Sequence, residues 1–551
     1  MSGLRLIQHK AVIRRAIALS HDRSAFVATW VDVEREDEEG GKAKRSTMPA
    51  LLIRYTGGTV RLIEGGAAEA FDRPATTVAM PDGIAVDLAR TPPPTSADDM
   101  LMGVQTVADL LDDARPDIAR LVTDLTATFR RFVAFPAGAD ASAEDYATLC
   151  AAYVASTYLL PAFPAVGYLW LTGLPGSGKS TVAQVIARAA CLPLMASSSG
   201  TLASLRGHAD AGGTLILDNY ESVTGKDDVA RNLRSFCELG YQQGAVATLQ
   251  VPSGKGRGWE TARCNVFCNR TFTAVAEPPD ALASRCITIL MFRTSDSSKA
   301  DLSPQDTDNW QVAPHDLVQR CWMVALHCLG DAAEIVRTIT SANTGLTNRD
   351  LQVWRPVLTV ARLADAANGD TAVWDALLRL ARHLLVQRAE DDGSREATLT
   401  RALAAITEDG NRTATTGMTL NMVKKQYAEA HGIAGDEKED MPWGLENVKK
   451  VGTVFKKMGV PKLPRTSAGN VYDIAEPVIA RLRALYLPPI TDLSNTSAPS
   501  AQTAPSTSHA DDEPCADRAE GAESVDPAEG VAPDVGWIAD VWGDEKAAGD
   551  D

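Results

Sequence analysis

The chain has 551 residues, 45% hydrophobic and 23% charged, with a formal net charge of −17. That length exceeds the roughly 250–300 residues at which a single core stops growing, so several domains are expected. Fifteen acids and two bases over residues 492–551 carry −13 of the charge, which leaves a nearly neutral body and excludes a generally basic nucleic-acid coat, though not local cationic patches.

Residues 1–115 read as a mixed α/β domain with no assigned role, with strands at 25–33, 50–55 and 59–63 and a charged loop at 34–44. They hold no paired-carboxylate or zinc arrangement. Pro92-Pro93-Pro94-Thr95 marks a boundary, after which 104–132 has helical periodicity. The long uncharged stretch at 143–173 is broken by Pro161 and Pro164, so a helix, a turn and a buried strand explain it better than a membrane span. With no secretory signal at Met1-Ser2-Gly3-Leu4-Arg5, a cytoplasmic protein without membrane contact is expected.

Residues 116–300 are expected to form a P-loop core. Gly173-Leu174-Pro175-Gly176-Ser177-Gly178-Lys179-Ser180 is a complete G-x-x-x-x-G-K-[ST] loop between an apolar strand at 167–171 and an Ala-rich helix from Thr181. The glycines let successive N–H groups face the phosphates of a nucleoside triphosphate, and the helix N-terminus adds positive potential. Lys179 would reach the β- and γ-phosphates, Ser180 would ligate Mg²⁺, and Thr181 would help at most. The strand at 214–217 delivers Asp218, the expected metal-side carboxylate. Asn219 follows it and cannot act as a base, so Glu221 is either the base or the cap of the next helix.

A hairpin is expected from 245 to 260, with a cationic tip containing Lys255, Arg257 and Trp259. A strand at 262–269 would end on Asn269, where a γ-phosphate sensor would sit. Then come a helix end carrying Arg285 and an apolar strand to Arg293. Residues 301–410 read as a helical domain containing Arg349, Trp354, Arg355 and Trp374. The segment 411–490 suggests a winged-helix-like module, whose stretch 449–465 holds six bases and no acid. Lys449, Lys450, Lys456 and Lys457 are its phosphate-contact candidates, or simply a solvated face. Residues 491–551 are too poor in large apolar residues to fold. Their tip around Trp537, Val541 and Trp542 suits either a docking helix for a basic-grooved partner or a solubilising tail. Nine scattered cysteines and eight histidines show no ligand spacing, and no structural zinc is expected.

The P-loop, Asp218, the strand to Asn269, Ala281-Leu282-Ala283-Ser284-Arg285, and Arg349-x4-Trp354-Arg355-Pro356 come in an order that resembles superfamily 3 and related AAA-like helicase ATPases of phages and plasmids. The resemblance covers 150–485. It implies a RecA/AAA-like α/β core with a parallel sheet, followed by helical and winged-helix-like domains, that uses ATP and Mg²⁺ as a DNA helicase or translocase in mobile-element replication. It also implies a homo-oligomer, a ring of six, in which Arg285 is an arginine finger offered to a neighbour rather than an internal ion-pair partner. Lys255, Arg257 and Trp259 would then grip DNA in the channel, unless the tip is merely solvated. Two other readings stay open: a regulatory or defence ATPase switch that unwinds nothing, and a small-molecule P-loop kinase.

Overall fold

The computed structural model describes residues 12–13, 15–20, 23–35, 44–64, 77–79, 85–87, 102–196, 201–223, 228–252, 258–294, 296–299, 301–391, 395–431, 448–466 and 469–486. The Pro92–94 boundary, Lys255, Arg257 and the acidic tail lie outside the described residues. The described chain divides into two compact units at Leu384 and Leu385.

The first unit begins with β1 (Val12–Ile13), β2 (Ile17–Leu19), β3 (Ala25–Arg35), β4 (Lys44–Arg54), β5 (Val60–Glu64), β6 (Thr77–Ala79) and β7 (Ala85–Asp87). Strands β2 to β5 form an antiparallel sheet in sequence order, and β1, β7 and β6 form a small second sheet. Phe26, Ala28, Leu51 and Ile53 make the core of the larger sheet. This region lies in the same compact unit as the P-loop core, and Arg15 Nη2 donates to the Phe267 carbonyl across 2.7 Å.

The core follows with α1 (Val104–Leu111), α2 (Ile118–Phe132), α3 (Ala143–Thr157), β8 (Tyr168–Thr172), α4 (Lys179–Ala189), β9 (Pro193–Ala196), α5 (Leu202–Asp210), β10 (Thr214–Leu217), α6 (Asp228–Glu238), β11 (Val246–Pro252), β12 (Trp259–Asn265), β13 (Arg270–Thr273), α7 (Asp280–Ala283) and β14 (Cys286–Leu290). The long helix α8 (Pro314–Thr338), α9 (Ser341–Thr344), α10 (Asn348–Asn368) and α11 (Ala372–Asp391) complete it. Ser142 and Asp145 form a capping box at the start of α3, and Arg379 Nη2 donates to the same Asp145 carboxylate at 2.6 Å, tying α3 to α11. No described helix is long and apolar enough to cross a membrane.

The central sheet has the order β14–β8–β13–β10–β9, with every pair parallel. All five residues of β8 and all four of β10 and β13 are buried, as expected for parallel strands covered on both faces. At the start of β8 a Cβ on Gly167 would lie 2.5 Å from the Val353 carbonyl oxygen, so the strand enters the sheet directly against the α10 backbone. Strands β11 and β12 form a separate antiparallel hairpin.

The second unit contains α12 (Arg395–Glu408), β15 (Thr413–Thr415), α13 (Thr416–His431), α14 (Val448–Met458), β16 (Lys462–Thr466), β17 (Gly469–Asp473) and α15 (Glu476–Tyr486). Its antiparallel sheet has the order β15–β17–β16. Leu399, Leu403 and Ile406 of α12 share one core with Leu420, Val451, Phe455, Tyr472 and Leu482. Helix α12 thus buries its apolar face in the small unit.

Candidate active site

Parallel strands present their C-terminal ends to one edge of the sheet, where ligands of open α/β folds gather. At that edge the P-loop leaves β8. Gly173, Gly176 and Gly178 have φ values of 139°, 79° and 88°, a left-handed path that side chains resist. A Cβ on Gly173 would stand 2.2 Å from the Met291 carbonyl oxygen, so close approach also requires glycine there. Gly178 caps α4, which begins at Lys179, two residues ahead of the expected Thr181. The Ser177 hydroxyl is buried without a hydrogen-bond partner, which suits a loop shaped for a phosphate.

Lys179 Nζ folds back onto the carbonyls of Gly173 at 2.6 Å and Leu174 at 3.0 Å. Burial draws its ammonium below the ordinary value, and the Glu221 and Asp218 carboxylates oppose that shift. Ser180 Oγ donates to Asp218 Oδ1 at 3.2 Å, which places two oxygens of the kind that would hold Mg²⁺ side by side. Bound there, the cation would supply charge neutralisation to the phosphates.

The register between β13 and β10 pairs Phe272 with Leu217, which brings Thr273 level with Asp218. Thr273 Oγ1 donates to Asp218 Oδ1 at 2.5 Å and accepts the Asn219 N–H at 2.8 Å. Asn219 itself sits at φ 64°. Thr273 is thus the polar residue at the end of the strand between the P-loop strand and the acid strand, a position expected of Asn269. Sequence reasoning missed it.

Asn269 is placed differently from that expectation. The strand 259–265 is the second arm of the hairpin, and the sheet strand starts only at Arg270. Asn269 precedes it, is 2% exposed, and gives its carbonyl to Leu215 N at 3.0 Å. It lies at the opposite sheet edge, about 13 Å along β13 from the Asp218 level, so its side chain is not beside the P-loop.

Glu221 lies on the 3-10 turn Tyr220–Val223. Its Oε1 accepts the backbone N–H groups of Val275 and Ala276, which fastens the loop after β13. Glu221 was expected either as the base or as the cap of the next helix; the two donors it accepts belong instead to the loop after β13, and its carboxylate acts electrostatically on Lys179.

Arg285 occupies the turn before β14, again at the edge away from the P-loop. Its guanidinium and that of Arg349 each lie 5.1 Å from the centre of the Tyr241 ring, a cation–π arrangement. Arg285 Nη1 donates to the Ala281 carbonyl, and Arg349 Nη1 to Ser284 Oγ at 2.8 Å. Trp259 is 71% exposed at the foot of the hairpin tip. On α14, Val451, Val454, Phe455 and Met458 are buried, while Lys449, Lys450, Lys456 and Lys457 are exposed.

No family model and no curated protein matches the chain. Among solved structures, the chain is similar to a full-length MCM homolog from Methanopyrus kandleri at 12% identity, covering 65% of this chain and 76% of that one with a TM-score of 0.31. A Drosophila ORC bound to DNA matches at 12% identity over 67% of this chain and 92% of that one, with a TM-score of 0.17. An apo form of the NrS-1 C-terminal region matches at 10% identity over 77% and 94%, with a TM-score of 0.29. Likenesses this distant carry no functional argument, and what can be said of the chemistry rests on the P-loop edge itself.

Proposed function

We propose that the chain is an ATP-hydrolysing, DNA-acting P-loop enzyme of the helicase or translocase kind, working with Mg²⁺ in mobile-element replication. The observation that supports this best is the convergence of Lys179, Ser180, Asp218 and Thr273 on three neighbouring strand ends of an all-parallel sheet. Gly173, Gly176, Ser177 and Gly178 form the cradle around the phosphates, with Thr181 behind them in α4. The remainder rests on family resemblance. A ring of six would place Arg285 of one subunit at the nucleotide of the next, in keeping with its position at the far edge of its own sheet. The hairpin carrying Trp259 and the lysine face of α14 are the two surfaces proposed to contact DNA.

One observation favours the switch reading. Glu221 is engaged by two backbone N–H groups, and Asn219 stands beside Asp218, so hydrolysis without a trigger is expected to be slow. Steady-state ATP hydrolysis by the full chain, with and without single-stranded or forked DNA, separates the two. A DNA-dependent rise that Lys179→Ala abolishes supports the motor. Slow turnover indifferent to DNA overturns it in favour of the switch.

A further inference from the structure

We propose that Arg293 is a second phosphate-binding cation of the nucleotide site, supplied by the same subunit from the segment after β14. The inference rests on the nucleotide-binding reading above and names a residue that reading does not use.

Strand β14 lies next to β8 in a register that pairs Leu290 with Thr172. The residues after β14 therefore run alongside the P-loop: Met291 N donates to the Thr172 carbonyl at 2.7 Å. Two residues on, Arg293 Nε donates to the Pro175 carbonyl at 2.7 Å. A Cβ placed on Gly176 would meet that same nitrogen at 3.7 Å, so the guanidinium lies against the loop at Gly176.

Lys179 holds the carbonyls of Gly173 and Leu174, and Arg293 holds the next one. Three successive loop carbonyls are thus covered by two cations drawn from opposite ends of the core. The exposed Arg293 pairs with no carboxylate among the described residues. A guanidinium has five N–H donors in a fork that matches phosphate oxygens. One of them serves Pro175, and the others remain for a ligand. Neighbouring Phe292, 58% exposed, and Leu174, 64% exposed, add apolar surface next to the charge; a bound nucleotide would shield both from water and strengthen the contact. In this arrangement Lys179 and Arg293 exchange loop carbonyls for phosphate oxygens when the nucleotide enters.

The test is equilibrium binding of ATP to the full chain without divalent cation, comparing Arg293→Lys and Arg293→Gln with the unaltered protein. Gln retains a donor for the Pro175 carbonyl and lacks the charge, whereas Lys retains the charge. A charge-assisted phosphate contact predicts that Gln weakens binding roughly tenfold, that Lys recovers most of the loss, and that the Gln variant shows a shallower salt dependence. Gln binding as tightly as the unaltered chain would reduce Arg293 to a loop clamp and overturn the proposal. Lys179→Ala is the separating arm. If it loses ATP while Arg293→Gln does not, only this inference fails; if Lys179→Ala also binds normally, the nucleotide reading fails with it.

Discussion

The two edges of the parallel sheet are built from opposite materials. At the C-terminal edge, glycines with positive φ meet the short oxygen-bearing side chains of Ser180, Asp218 and Thr273, which hydrogen-bond one another. At the N-terminal edge, one arginine is consumed by the protein itself. Arg270 is fully buried, and its Nη1 donates to the carbonyls of Phe236 at 2.7 Å, Cys237 at 2.8 Å and Leu239 and to Tyr168 Oη at 3.0 Å, while Nη2 reaches the Val266 carbonyl at 3.0 Å. Phe236 and Cys237 lie in the last turn of α6, where orphan carbonyls and the negative end of the helix dipole accumulate. The first edge gathers its polar side chains around the loop, and at the second Arg270 locks helix, hairpin base and sheet together.

That contrast can be broken first at Arg270. Replacing it with Met strands up to three buried carbonyls, those of Phe236, Cys237 and Val266, each costing roughly 1–3 kcal/mol, so a loss of about 3 kcal/mol or more is expected in denaturant unfolding. A loss below about 1 kcal/mol would mean that the N-terminal edge is not locked by this side chain. Next, Thr273→Val removes one hydroxyl at nearly constant shape. It should lower kcat for ATP hydrolysis on the order of tenfold with little change in unfolding midpoint, whereas unchanged turnover would remove Thr273 from the working edge.

Asp365 is the mirror of Arg270, a carboxylate 3% exposed that accepts the N–H groups of Val373 at 3.0 Å and Trp374 at 2.9 Å at the start of α11. Burial, resisted by those two donors, pushes its pKa from 3.8 up to about 6. Because the folded value is the higher one, its stabilising contribution is fully present below 3.8 and is lost as pH rises through about 6. Relative to Asp365→Asn, the unaltered chain should lose unfolding free energy between those pH values, and parallel curves for the two would contradict this. The smallest effect belongs to Asn269→Ala. Since Asn269 sits at the locked edge, kcat should stay within about twofold; a large fall would restore it as a sensor.

The P-loop was readable because its chemistry is spelled in contiguous residues between a strand and a helix, and Asp218 because an apolar run delivers it. Thr273 was hidden by Arg270. A central strand written Arg-Thr-Phe-Thr does not look buried, while the apolar Cys264-Asn265-Val266-Phe267-Cys268 just before it does. The carbonyls that make a buried guanidinium tolerable come from α6 and from Val266, and no local pattern announces them. The partners of α12 were not legible for a related reason. Leu399, Leu403 and Ile406 have the same helical spacing whichever core they enter, and the choice is made by partners such as Phe455 and Leu482. Arg285 lies just before the last core strand, and its shared ring with Arg349 at Tyr241 is a long-range meeting that no local pattern announces.

Gly167 carries a consequence for ancestry. Any side chain there would collide with the Val353 carbonyl, and the strand it opens leads straight into the phosphate loop, so neither partner can drift alone. Divergent copies of this chain should retain glycine six residues ahead of the first loop glycine or else reposition the helix bearing Trp354 and Arg355. That paired constraint offers a signature for finding its kin where overall similarity has faded.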